Sequence, residues 1–259
     1  MSARLAVAHL GLVPYGEALA RQRALADDRI AGRLTRDTLL LLEHPPVVTL
    51  GRGTRETSLP IAPELLRRRG IDVFEIERGG DVTYHGPGQL VGYPIFDLGA
   101  HRRDLHWFLR QLEAALIEAL AGFGIAGERR ETYPGVWTGG RKIASIGIHV
   151  RQWVTWHGFA LNVTTDLAPF DLIVPCGIPD VKMTSVAAEL EARTHGRTDP
   201  RMTAGTPAPT RERTGAPMPR GAAALMTAVR DAVVAAFVRT FEFGGAETLD
   251  AAAGAGTGT

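Results

Sequence analysis

The twelve residues from Arg78 to Gln89 read RGGDVTYHGPGQ and constrain the fold more than any other part of the chain. Gly79, Gly80, Gly86 and Gly88 permit backbone conformations closed to other residues and let a ligand approach without Cβ atoms in the way. Pro87 stiffens the bend between the last two. Into this bare backbone are set a guanidinium (Arg78), a phenol (Tyr84) and an imidazole (His85). A segment that only turns a corner needs one or two glycines and no such polar set. Two readings stand: a wall of a binding site, or a glycine-rich turn with surface polar side chains.

The flanking sequence alternates between strand and helix patterns. Residues 4–13 read as a strand ending at Pro14, and Tyr15, Leu19, Gln22 and Leu25 fall at helical spacing before Gly32. Thr38 to Leu42 is an apolar run fit for a buried strand, and Val47 to Leu50 resumes as another after His44-Pro45-Pro46. Pro63 starts a short helix, and the strand-like run from Ile71 to Ile76 leads into the glycine-rich stretch. Leu105, Phe108, Leu112, Leu116 and Leu120 recur at three and four residues, which predicts a helix from Asp104 to Gly122. Gly139-Gly140 reads as a tight hairpin. From Lys142 the pattern sets Lys142, Ala144, Ile146 and Ile148 on one strand face. Mixed in this order, the elements indicate an α/β or α+β domain with a largely central sheet.

Composition narrows the classes. At 259 residues the chain can bury a substantial core, and a net charge of +1 argues against a general nucleic-acid binder. No window has the length of a membrane-spanning apolar helix, and the first residues lack the pattern of a secretory signal. A single cysteine excludes an intrachain disulfide and fits a reducing cytoplasm.

That cysteine, Cys176, lies between Pro175 and Gly177 after an apolar run. A lone cysteine is usually a small hydrophobe. In this setting unpaired backbone N–H groups could instead serve a nucleophile as an oxyanion hole. The attacking species is the thiolate, so a helper is needed. His85, His149 and His157 are the usual type, and Lys142 is a less obvious one. If its strand face is buried, desolvation favours a neutral amine able to take the thiol proton. The bland reading of Lys142 is a lysine at a hairpin end with its head in water. Arg67, Arg68, Arg69, Arg102, Arg103, Arg129 and Arg130 are either a solvated surface or a rim that attracts an acidic partner. Metal-ligand spacing and a GxSxG elbow are both absent from the sequence.

Four ordered blocks carry a resemblance. RGGDVTYHGPGQLVGYPIFDL, GVWTGGRKIASIGIHV, WHGFALNV and IVPCGI resemble successive blocks of the lipoyl(octanoyl) transferases, the protein N-octanoyltransferases of lipoate biosynthesis. The resemblance implies an α/β (α+β, mixed-sheet) single domain similar to the catalytic domain of biotin and lipoate protein ligases. It implies that Cys176 attacks the thioester of octanoyl-acyl carrier protein and holds the octanoyl group, with Lys142 accepting or sharing the thiol proton. Substrate contacts fall on Arg78, Gly79, Gly80, Asp81, Val82, Thr83, Tyr84 and His85, on Ser145, Ile146 and Gly147, and on Gly158, Phe159 and Ala160. Neither a cofactor nor a metal is implied. The acceptors implied are lipoyl domains of 2-oxoacid dehydrogenase complexes and the glycine cleavage H protein, without nucleic acid or membrane, in the cytoplasm.

The expected layout is a catalytic core over residues 1–190, a disordered Pro/Thr/Arg-rich insertion over 191–221, a docked helix over 222–243 and a flexible tail over 244–259. An eight-carbon chain needs an apolar tunnel, worth about 0.8 kcal/mol per buried CH₂, expected around Tyr84, Ile146 and Phe159. Two other readings stay open: an ATP-dependent lipoate or biotin ligase on the same fold, which needs no thiol at position 176, and a non-catalytic lipoyl-domain binder.

Overall fold

Four consecutive leucines, Leu39 to Leu42, leave strand β2 (Thr38–Glu43) no polar face, so it must be covered on both sides. The computed structural model, which describes residues 3–178, 180–196 and 221–249, covers it on both. Leu39 and Leu41 pack into the main core with Phe108, Leu112 and Leu116 of α3 (Leu105–Ala121) and Val229, Val233 and Phe237 of α5 (Ala222–Thr240). Leu40 and Leu42 point the other way, to Ala18 of α1 (Tyr15–Ile30).

β2 lies within a seven-stranded sheet of order β10-β1-β2-β6-β9-β8-β7. Its other members are β1 (Leu5–Leu12), β6 (Gln89–Ile95), β7 (Gly135–Thr138), β8 (Arg141–Arg151), β9 (Val154–Asn162) and β10 (Ala246–Leu249). The β10–β1–β2 pairings are parallel and the others antiparallel, so the sheet is mixed. A second sheet of three strands has the order β4-β3-β5, formed by β4 (Asp72–Glu75), β3 (Val47–Leu50) and β5 (Val82–His85). It carries its own apolar cluster, in which Val48, Val82 and Tyr84 meet Leu66 of α2 (Pro63–Arg68), Phe170 and Ile173.

The pattern-based elements are present, and α3 is capped as a local signal requires, with Trp107 N donating to Asp104 Oδ1 at 3.0 Å. Three expectations change. The glycine-rich stretch is not all loop, because residues 82–85 form β5. The helix α4 (Val186–Gly196) continues past residue 191, where the insertion was expected to begin. The remainder of that insertion, residues 197–220, lies outside the described residues. The expected flexible tail begins instead with β10, which pairs Ala246 to Leu249 with Leu5 to Ala8, and residues 250–259 lie outside the described residues. β10 has little sequence signature because its stability comes from the open edge of β1.

Candidate active site

Cys176 sits in a one-turn helix, Pro175–Gly177, with φ 57° and ψ 21°. A non-glycine residue in the left-handed region is costly and is held only where its surroundings enforce it. Here they do. Val174 N donates to Ser58 O at 2.9 Å, and Ser58 Oγ donates to Asp81 Oδ2 at 2.6 Å. Asp81 Oδ1 accepts from Val82 N at 2.6 Å. Gly177, at φ 64°, lies so close that a Cβ there would strike Asp81 Oδ2. The carboxylate thus occupies the space a side chain would need, which accounts for glycine after the cysteine. One expectation fails at this turn. Gly177 N and Ile178 N donate to Val174 O and Pro175 O at 2.9 and 3.1 Å, so the two amides after Cys176 are not free to form an oxyanion hole.

Lys142 Nζ lies 3.0 Å from Cys176 Sγ, and Ser145 Oγ lies 3.9 Å from the same sulfur. Lys142 is 1 % exposed, so its head is not in water. In a regular strand residues 142 and 145 point to opposite faces. The pairing of β7 with β8 shows how they come to share one. Val136 pairs with Ala144 and Trp137 with Lys142, leaving Ile143 as the extra residue of a β-bulge. Ile143 and Ala144 both enter the main core, and the alternation is reset between them. The expected sharing of a face between Lys142 and Ala144, Ile146 and Ile148 is therefore overturned. The backbone of Lys142 is pinned on its other edge as well, its N–H donating to Lys182 O at 2.8 Å and its carbonyl accepting from Thr184 N at 2.9 Å.

The sulfur opens on a cavity of about 310 Å³ between the two sheets, lined by Arg78, Gly79, Gly80, Asp81, Thr83, His85, Lys142, Ser145, Ile146, Gly147, Gly158, Phe159 and Ala160. Gly147 is needed for this wall to close. A Cβ there would come within 2.8 Å of Gly79 O and 3.2 Å of Arg78 Cδ, pushing the 78–80 segment off β8. Arg78 is buried and anchored, its Nη2 donating to Thr49 O and Thr49 Oγ1 at 2.7 and 2.9 Å. His85 is held by a buried relay. Asn162 Nδ2 donates to Thr184 O at 3.0 Å, Gln89 Nε2 donates to Asn162 Oδ1 at 2.9 Å, and Gln89 Oε1 is thereby left to accept from His85 Nδ1 at 2.8 Å. Burial, then the neighbouring His44, pushes His85 down to about 3, so its ring is neutral with the proton on Nδ1.

Twelve of the fourteen expected substrate-binding residues line this cavity beside Cys176 and Lys142. Val82 and Tyr84 do not. β5 alternates, sending Asp81, Thr83 and His85 to the cavity and Val82 and Tyr84 into the apolar cluster of the small sheet, where Tyr84 meets Phe170 edge-on. The apolar wall expected around Tyr84 accordingly lacks it. Among the helper histidines, His149 does not line the cavity, and His157 does so with its Nε2 toward Glu77 Oε2 at 3.9 Å. Tyr15, Tyr93, Leu109, Ile148 and the segment Thr132–Pro134 also line the cavity and were not among the expected site residues. No cluster of three or more His, Cys, Asp or Glu able to hold a metal stands among the described residues, and none of their helices is long and apolar enough to cross a membrane.

Known proteins resemble this chain at two levels. The family described as Lipoyl protein ligase A/B catalytic domain matches residues 14–204. The Octanoyltransferase of Gloeobacter violaceus is 58% identical over 168 residues, covering 65% of this chain and 73% of that protein. The Octanoyltransferase of Acidobacterium capsulatum is 50% identical over 195 residues, covering 70% of this chain and 79% of that protein. Among solved structures, a putative lipoate protein ligase from T. acidophilum with bound lipoic acid superposes with a TM-score of 0.63 at 16% identity, covering 96% of this chain and 90% of that one. Lipoate-protein ligase A bound with ATP gives 0.64 at 15% identity, with 96% and 90% covered. At that identity the likeness is one of fold.

Proposed function

The chain belongs to the lipoyl protein ligase A/B catalytic-domain family as an octanoyltransferase of lipoate biosynthesis, and from that premise we propose that Cys176 carries the octanoyl group as a thioester between two protein partners. The observation that carries this reading is the 3.0 Å approach of Lys142 Nζ to Cys176 Sγ beside a cavity wide enough for a fatty chain. The donor is octanoyl-acyl carrier protein. The acceptors are lipoyl domains of 2-oxoacid dehydrogenase complexes and the glycine cleavage H protein. The reaction takes place in the cytoplasm, where a lone thiol stays reduced.

In the first step the thiol proton passes to the Lys142 amine and Sγ attacks the thioester carbonyl. The carbon–sulfur bond to the carrier breaks, and the leaving thiolate takes a proton from the Lys142 ammonium. In the second step the acceptor lysine attacks the new thioester as a neutral amine. An amide forms, Sγ leaves, and the amine's surplus proton returns through Lys142 to the sulfur. A thioester is already activated, so neither step consumes ATP. The substrate-binding role of the twelve residues that line the cavity follows from the same reading. Asp81 does more than line it, because it braces the turn that presents the sulfur.

Incubation with octanoyl-acyl carrier protein in the absence of ATP should add one octanoyl mass to the protein and none to Cys176→Ala. Lys142→Ala should keep its fold and lose adduct formation by about 100-fold or more, the range expected for general acid–base catalysis. An unmodified wild-type protein that transfers free octanoate only with ATP would make it a ligase. Binding of lipoyl domains without either reaction would make it a non-catalytic binder.

A further inference from the structure

The cavity that opens at the sulfur is lined by hydrogen-bonding groups as well as apolar ones. Asp81 touches Gly177 beside the nucleophile, and His85 lies four residues on, at the end of β5 and about 13 Å from Asp81 at the rise of a strand. An extended octanoyl thioester reaches about 10 Å from its sulfur, given carbon–carbon bonds of about 1.5 Å. Such a chain is long enough to approach His85 and Tyr15 through the cavity that they line together with Cys176, and their rings stack 6.1 Å apart with only 13° between their planes.

The polar atoms at that end are arranged for a ligand. Gln89 holds the proton of His85 on Nδ1, which leaves Nε2 as an acceptor with no partner among the described residues. Tyr15 lines the cavity and its hydroxyl likewise has no hydrogen-bond partner among the described residues. Arg78 also lines the cavity, but its unpartnered Nε–H is buried out of reach of a ligand there. Tyr93, by contrast, is satisfied, because His44 Nδ1 donates to Val13 O at 2.7 Å and His44 Nε2 is then free to accept from the Tyr93 hydroxyl at 2.7 Å. One acceptor, His85 Nε2, and one donor, the Tyr15 hydroxyl, thus stand open where a plain hydrocarbon chain can bond to neither. Covered by a hydrocarbon chain, each would lose water and gain no partner, at a cost greater than a typical hydrogen bond contributes.

We propose that Tyr15 and His85 form a recognition site for a hydrogen-bonding end on the acyl chain, so that the cavity takes medium-chain acyl groups with a terminal hydroxyl as well as the octanoyl group. A terminal hydroxyl donates to His85 Nε2 and accepts from the Tyr15 hydroxyl. A plain chain that passes eight carbons must press a methyl group against the same two atoms. This rests on Cys176 carrying the acyl group.

Carrier-protein thioesters of 8-hydroxyoctanoate and nonanoate have chains of equal length and differ only in the last atom. Offered together, they should form Cys176 adducts in a ratio that favours the hydroxy chain. Tyr15→Phe, which removes one oxygen and keeps the ring, should lower that ratio about tenfold, the worth of one charged or buried hydrogen bond. Adducts that favour nonanoyl in the wild type, or a ratio unchanged in Tyr15→Phe, would overturn the proposal while octanoyl loading still upholds the thioester reading. Failure of Cys176 to load octanoate at all would overturn both.

Discussion

His44 and His85 are buried with ring centroids 5.7 Å apart, and burial is the main reason neither ring accepts a proton. His44 is pushed down to about 4 and His85 to about 3, against 6.5 in the unfolded chain. As pH falls below 6.5 the unfolded chain binds protons at both positions and the folded chain does not, so stability is full above that pH and declines with acidification. Each ring contributes a loss of about 1.4 kcal/mol per pH unit until its folded value is reached. Thermal unfolding measured from about pH 7 down to about pH 5 should show Tm falling. His44→Gln, which can still donate to Val13 O and accept from Tyr93, should make that fall shallower, and an unchanged slope would remove His44 from the account. Residue chemistry was also the part of the site most open to reading in advance. Cys176 and Lys142 stand out by type and by block, whereas Tyr15 reaches the cavity only because α1 crosses the sheets there.

Elements were legible where their cause is local. The leucine run of β2 and the three-and-four spacing of α3 both report burial directly. The bulge at Ile143 has no such signature, because it exists only relative to β7, and it reversed the face assigned to Lys142. Treating residues 78–89 as a loop hid the two-residue period of β5, which would have separated Thr83 and His85 from Val82 and Tyr84. β10 was missed for a similar reason, since Ala246 to Leu249 has meaning only against β1. A chain ending at Leu249 should therefore be more stable than one ending at Gly245 by about 2 kcal/mol, the scale of a few edge hydrogen bonds. The shorter chain also loses the Arg36–Glu247 ion pair, an exposed contact of small worth. Equal urea midpoints for the two chains would show that β10 adds nothing to the fold.

At the scale of the whole molecule the class of fold was readable and the arrangement of its two sheets was not. Alternating strands and helices announce a mixed α/β domain. They do not say that strands β3, β4 and β5 leave the main sheet, or that a slot opens between the two. That slot joins parts distant in the chain, with Ser58, Asp81 and Val174 tying the small sheet to the nucleophile turn and Lys142 and Ser145 facing it from the large one. Its position has a mechanical consequence. A saturated tail lying between the two layers would act as mortar, making contact with both at once. The protein in transit, holding its cargo, should thus be the sturdier form, melting several degrees above the unloaded one and exchanging the amides of β5 more slowly. A carrier built in this way stiffens when charged and relaxes on delivery.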